Sequence, residues 1–145
     1  MARTLLAEIV TPEAILYTNE VQMVVATTPA GEIGILPLHS PIVTTLAPGE
    51  VRLRFGDGAA DWEYFSISGG YLQVHEDKVI VLADNAVAVS QIDASRAKES
   101  AELVAERLKE LPAGSESDEE RDAMIRDLEW AQTQLRIAER RGSSR

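Results

Sequence analysis

"YLQVHEDKVIVL", residues 71–82, decides how the first half of the chain reads. Two apolar, β-prone runs, YLQV and KVIVL, flank the polar triplet His75, Glu76 and Asp77. So short a polar break between two such runs predicts a β-hairpin, with the triplet in or near its turn. "VRLRF", residues 51–55, alternates Val51, Leu53 and Phe55 with Arg52 and Arg54, the period of two that buries one face of a strand. "VQMVVATT", residues 21–28, places Val21, Met23 and Val25 on one face by the same reading. Turn residues recur between the runs, at Pro12, Asn19, Pro29 to Gly31, Pro37, Pro48-Gly49, Gly56 to Gly58 and Gly69-Gly70. Many short strands at that spacing predict an antiparallel sandwich or barrel, because only stacked or closed sheets bury so many apolar faces.

Past Ala83 the period changes. "ADNAVAVSQ" is a bridge of small residues, and Asp93 then stands where a helix N-cap is expected. Ala97, Ala101, Val104, Leu108 and Leu111 follow at steps of four and three, one stripe of an amphipathic helix. Pro112 to Ser115 ends it. Ser117 and Glu120 have capping-box spacing for a second helix, with its own stripe at Met124, Leu128, Ala131, Leu135 and Ala138. Asp122 and Arg126 are placed to pair one turn apart. The expected organisation is a β unit over residues 1–86 and an antiparallel helical hairpin over residues 87–145. Alanine lets helices approach closely but buries little area, so the hairpin should be held weakly and is a candidate moving part.

Composition excludes several classes. A hydrophobic fraction of 45% with 26% charged residues fits a globular chain with a core. No apolar run approaches the ~20 residues of a bilayer crossing, so no direct membrane insertion is expected. The opening "MARTLLAEIVTPEA" makes a poor secretory signal. Cysteine is absent, which removes disulfides, thiolate nucleophiles and thiolate metal sites; it suits a cytosol-like compartment but is compatible with either side of a membrane. A net charge of -10 argues against nucleic acid. Yet residues 130–145 carry Arg136, Arg140, Arg141 and Arg145 against Glu139 alone. That basic end suits an acidic partner, or is a solvated helix terminus favoured by its dipole.

Catalytic chemistry is largely missing. His39 and Ser40 are neighbours, a geometry that rarely lets a base reach a hydroxyl, and no G-x-S-x-G is present. A small hydrolase built on this pair stands against a structural or contact histidine, which is the reading favoured here. His75, Glu76 and Asp77 could suggest a metal, but three neighbours in a hairpin turn point in different directions, and a solvent-exposed turn is favoured. "GEIG" and "SGG" lack the lysine and the strand-loop-helix setting of a phosphate cradle. No catalytic residue and no metal ligand is expected.

Read together and in order, "GEIGILPLHSPIVTTLAPGEVRL", "SISGGYLQVHEDKVIVLADNA", "IDASRA" and "AQTQLRIAERR" resemble the epsilon subunit of F-type ATP synthases over nearly the whole chain. The resemblance implies an N-terminal β-sandwich and a C-terminal helical hairpin. It also implies a non-catalytic central-stalk subunit of a proton-translocating synthase, peripheral on the cytoplasmic face of a bacterial membrane, or less favoured, a plastid thylakoid. The implied partners are the gamma subunit, the c-ring and the alpha and beta subunits, and the hairpin is implied to inhibit ATP hydrolysis. Glu32, His39 and Ser40 fall at the implied c-ring and stalk interface, in a loop shaped by its glycines and prolines. Leu38 stands where many relatives carry glycine. Arg126, Arg136, Arg140 and Arg141 fall at the implied inhibitory contact with alpha and beta. Ile92, Asp93, Arg96 and Ala97 match a motif by which some bacterial relatives bind ATP, which makes ATP a weak regulatory ligand and an ATP-sensing module the rival reading. Val87, Trp130 and Gln134 stand where ATP-binding relatives use a glutamate and arginines, and Asp93 has the helix cap as its alternative role. No other cofactor is implied.

Overall fold

A computed structural model describes residues 3–110 and 118–142. Ten strands come first: β1 (Leu5–Val10), β2 (Ile15–Val21), β3 (Met23–Thr28), β4 (Gly31–Ile35), β5 (Ile42–Leu46), β6 (Gly49–Arg54), β7 (Trp62–Ile67), β8 (Gly70–His75), β9 (Lys78–Ala83) and β10 (Ala86–Ala88). A 3-10 turn (Val89–Gln91) leads to α1 (Ala94–Glu110) and α2 (Asp118–Gly142). The chain divides into two compact units, Met1–Ser90 and Gln91–Arg145.

The strands form two five-stranded sheets, ordered β2-β1-β9-β8-β5 and β10-β7-β6-β3-β4, which make the sandwich expected from the sequence. All neighbours are antiparallel except β1 and β9, which run parallel with Leu6 opposite Lys78 and Val10 opposite Leu82. The 71–82 stretch is the β8–β9 hairpin, with His75 opposite Lys78 across a two-residue turn. Glu76 (φ 50°) and Asp77 (φ 58°) are both left-handed, as the tight hairpin turn that matches strand twist requires. At the start of β8, Gly70 has φ 149°, and a Cβ there would run into the Leu82 carbonyl oxygen, so only glycine fits.

The core lies between the sheets. Leu5 and Ile9 from β1, Val24 and Ala26 from β3, Val51 and Leu53 from β6, Leu72 from β8 and Val79 and Val81 from β9 are all buried in one cluster. Each such leucine or isoleucine stabilises the fold by about 1.5–3 kcal/mol relative to leaving it in water. The structure corrects two expectations from the sequence. Of the face expected at Val21, Met23 and Val25, Val21 joins the central cluster and Val25 is buried outside it, while Val24 and Ala26 point into the cluster, because the chain leaves one sheet for the other at Gln22 and the alternation resets. Phe55 lies beyond the end of β6 and is 42% exposed, so it does not continue the Val51 and Leu53 face.

In the second unit α1 and α2 pack against each other. Asp93 caps α1 as expected: its Oδ1 accepts the Arg96 backbone N–H at 3.1 Å, and its carbonyl accepts that of Ala97 at 3.0 Å. Along the α1 stripe Ala97 is buried while Ala101, Val104 and Leu108 are half-buried. On α2 the stripe is covered to similar degrees, with Ala131 buried, and Thr133 and Ile137 off the stripe are buried too. Thr133 donates its hydroxyl to the Glu129 carbonyl at 2.7 Å, which satisfies it within the helix. The stop at Pro112 to Ser115, Leu111 and the Ser117 cap lie outside the described residues.

Candidate functional site

The crossover from β4 to β5 is shaped by a closed turn. Leu36, Pro37, Leu38 and His39 form a β-turn closed by the His39 N–H donating to the Leu36 carbonyl at 3.2 Å. Proline occupies its second position and Leu38, with φ 69°, its third. That is the type II pattern, whose third position normally goes to glycine. A side chain there costs on the order of 1–2 kcal/mol, which gives a physical reason for glycine at this place and a strained backbone when leucine replaces it. The strain has an outside support: the Leu38 N–H donates to Asp77 Oδ1 at 2.7 Å. Leu36 (54%) and Leu38 (68%) point their side chains into solvent.

His39 Nδ1 lies 2.7 Å from the Ser40 carbonyl, so that nitrogen carries the proton and donates it. The bond goes to the backbone and not to the Ser40 hydroxyl, so the pair lacks the base-to-hydroxyl contact of nucleophilic catalysis. Beside the loop, Pro41, Ile42 and Val43 with Gln73, Val74 and His75 line a shallow hollow along the β5–β8 edge. No group of three or more metal-ligating side chains occurs among the described residues, and the His75 ring lies 3.8 Å from the Glu76 carboxylate at an exposed turn.

Glu32 is set apart from His39 and Ser40. It lies on β4, four residues before the loop, where Arg52 of β6 holds its carboxylate at 3.0 Å. Arg52 also lies 3.9 Å from the buried Glu50, so Glu32 belongs to a small ion-pair chain on the sheet face. An exposed pair of this kind contributes about 0–1 kcal/mol; it fixes where the carboxylate points more than it stabilises the fold. The sequence reading missed Asp77 and Arg3 as supports of the loop. Their only signal was the unusual non-glycine turn position at Leu38 and the hairpin triplet ending in Asp77.

Ile92, Asp93, Arg96 and Ala97 are gathered at the start of α1. Asp93 is already engaged as the cap, Ala97 is buried, Ile92 is half-buried and Arg96 is exposed. Arg126, Arg136 and Arg140 are exposed on α2 and Arg141 is half-buried, with Arg140 and Arg141 in the last turn, where cations complement the helix dipole. Against the sandwich core, the Tyr17 ring meets Phe65 edge-on at 5.5 Å. Burial pushes the Tyr17 phenol up; the hydrogen bond from Asn19 opposes this and the charge of Glu63 adds to it.

Residues 4–89 match the family model described as "ATP synthase, Delta/Epsilon chain, beta-sandwich domain". The chain belongs to that family. Among curated relatives, the ATP synthase epsilon chain of Desulforamulus reducens is 40% identical over 81% of this chain and 86% of its own length. The sodium-ion-specific ATP synthase epsilon chain of Propionigenium modestum is 35% identical over 91% of both chains. Epsilon chain 2 of Syntrophotalea carbinolica is 37% identical over 98% of this chain and 99% of its own. In fold, the chain is similar to one in the Euglena gracilis mitochondrial ATP synthase, in a structure of its OSCP, F1 and c-ring (TM-score 0.70, 20% identity, 90% of this chain and 78% of that one). An epsilon subunit of ATP synthase therefore accounts for both units: the family's sandwich occupies residues 4–89, and relatives covered almost end to end include the helical part. No helix among the described residues is long and apolar enough to cross a membrane.

Proposed function

We propose that this chain is a non-catalytic subunit of the central stalk of an F-type ATP synthase, bound peripherally to the membrane complex. Its sandwich docks on the gamma subunit and the c-ring, turning with them and coupling ion flow to the catalytic head. The 36–41 loop with Glu32, His39 and Ser40 forms part of the c-ring contact. Its proline, its closed turn and the fixed Glu32 carboxylate reduce the freedom lost on docking.

The helical hairpin is the regulatory part. It extends toward the alpha and beta subunits and slows ATP hydrolysis, with Arg126, Arg136, Arg140 and Arg141 drawn to acidic surface there. Attraction of this kind weakens with salt. The observation that carries the reading is a family sandwich followed by a separate unit whose buried side chains, among the described residues, are mostly small. The test is deletion of residues 91–145 in the reconstituted complex. ATP hydrolysis should rise while the sandwich still assembles with gamma; an unchanged hydrolysis rate refutes the regulatory role.

A further inference from the structure

The 36–41 loop presents its leucines from a backbone that residue 38 would not choose. Its turn is closed by one internal backbone bond, from the His39 N–H to the Leu36 carbonyl. That bond alone does not select the left-handed φ of 69° at a leucine. The second restraint comes from 39 positions further along the chain, where Asp77 Oδ1 accepts the Leu38 N–H at 2.7 Å. Asp77 is itself anchored. It is locked in the β8–β9 turn at φ 58°, its carbonyl accepts the Leu6 N–H at 2.9 Å, and its Oδ2 lies 3.4 Å from Arg3 Nη2. One carboxylate thus ties the loop to the start of β1 and to a rigid hairpin. Its side chain is less than one-third exposed, so this charge-assisted bond competes with water less than a surface one would.

We propose that Asp77 is a positioning residue for docking: it latches the 36–41 loop in the strained turn that displays Leu36, Leu38 and His39 to the rotor ring. The inference rests on the reading of this loop as a c-ring contact. Without the latch, Leu38 relaxes toward right-handed backbone, the two leucine side chains change direction, and the ring meets a loop that must be ordered on contact.

The test uses the full chain. In Asp77→Ala, the Leu38 amide should exchange with solvent about ten- to a hundredfold faster, the range spanned by a hydrogen bond to a charged group. Affinity for a purified gamma and c-ring complex should fall about tenfold. Asp77→Asn keeps an acceptor for the Leu38 N–H and should retain most of the protection. The decisive arm is a cycle with Leu38→Gly, since glycine adopts the left-handed turn without help. In that background Asp77→Ala should weaken ring binding by no more than about twofold. A merely structural role for Asp77 would give the same loss in both backgrounds, and that result overturns the proposal. So does unchanged exchange at Leu38, or faster exchange with unchanged affinity. The docking reading is checked apart from the latch by Leu36→Ser with His39→Ala, with Asp77 intact. Unchanged ring binding there removes the docking role, and with it the purpose of the latch, even where the exchange result at Leu38 holds.

Discussion

The sandwich and the helical hairpin carry equally regular apolar patterns, yet they bury very different things. In the sandwich, leucines, isoleucines and valines from nine strands, β1 to β9, meet in one cluster. In the hairpin, the buried apolar side chains among the described residues are Ala97, Ala131 and Ile137. A buried leucine contributes about 1.5–3 kcal/mol, and an alanine methyl only a fraction of that. Periodicity therefore says that an element forms and which face it turns inward; side-chain size says how firmly it is held. A firmly held body followed by a more lightly packed pair of helices is what the docking and regulatory roles proposed above would require.

The contrast can be measured because each unit has one tryptophan, Trp62 in β7 and Trp130 in α2. The largest effect should come from Leu72→Ala, which empties a fully buried site. The sandwich should lose about 2–5 kcal/mol, read as a lower urea midpoint of Trp62 emission in a Trp130→Phe background. A loss under about 1 kcal/mol would mean the cluster repacks freely, and the contrast would dissolve. Next is Asp93→Ala, which removes the α1 cap. It should destabilise the hairpin by about 0.5–2 kcal/mol, seen by Trp130 emission in a Trp62→Phe background, and leave the Trp62 transition, read in the Trp130→Phe background, in place. If both tryptophans moved together, the two units would be one cooperative body.

The smallest effect concerns Tyr17. Its phenol is pushed above the ordinary value of 10.0, chiefly by burial. The unfolded chain then ionises this group first, so the stability gained by keeping it protonated is fully present below pH 10 and is lost as pH rises through the folded value. Wild type should lose stability above pH 10 more steeply than Tyr17→Phe in urea titrations across that range. Parallel slopes would show that Tyr17 titrates as it does in water.

Much of this was legible in the residues. The 71–82 hairpin, the Val51 and Leu53 face and the Asp93 cap are local, set by turn chemistry and alternation within a few positions. What escaped was non-local. The alternation from Val21 was read through Gln22, where the chain changes sheets and the parity resets. The burial of Thr133 and Ile137 lies off the α2 stripe. The Asp77 bond to Leu38 joins two turns that nothing in the local pattern relates. Of the candidate residues, His39 and Ser40 share the 36–41 loop, whereas Glu32 sits on a strand, held by an arginine that the strand pattern marked only as an outward-facing residue.

The parallel pairing of β1 with β9 has a consequence for how the protein is made. The first strand waits for a neighbour, beginning at Lys78, that leaves the ribosome after most of the unit has been synthesised. Until then β1 and β2 are a lone two-stranded ribbon, which is marginal in water. Closing so long a stretch of chain is entropically slow. Nascent chains halted before Ala83 should accordingly stay open to protease along their whole length, and resistance should appear in a single step once β9 is available.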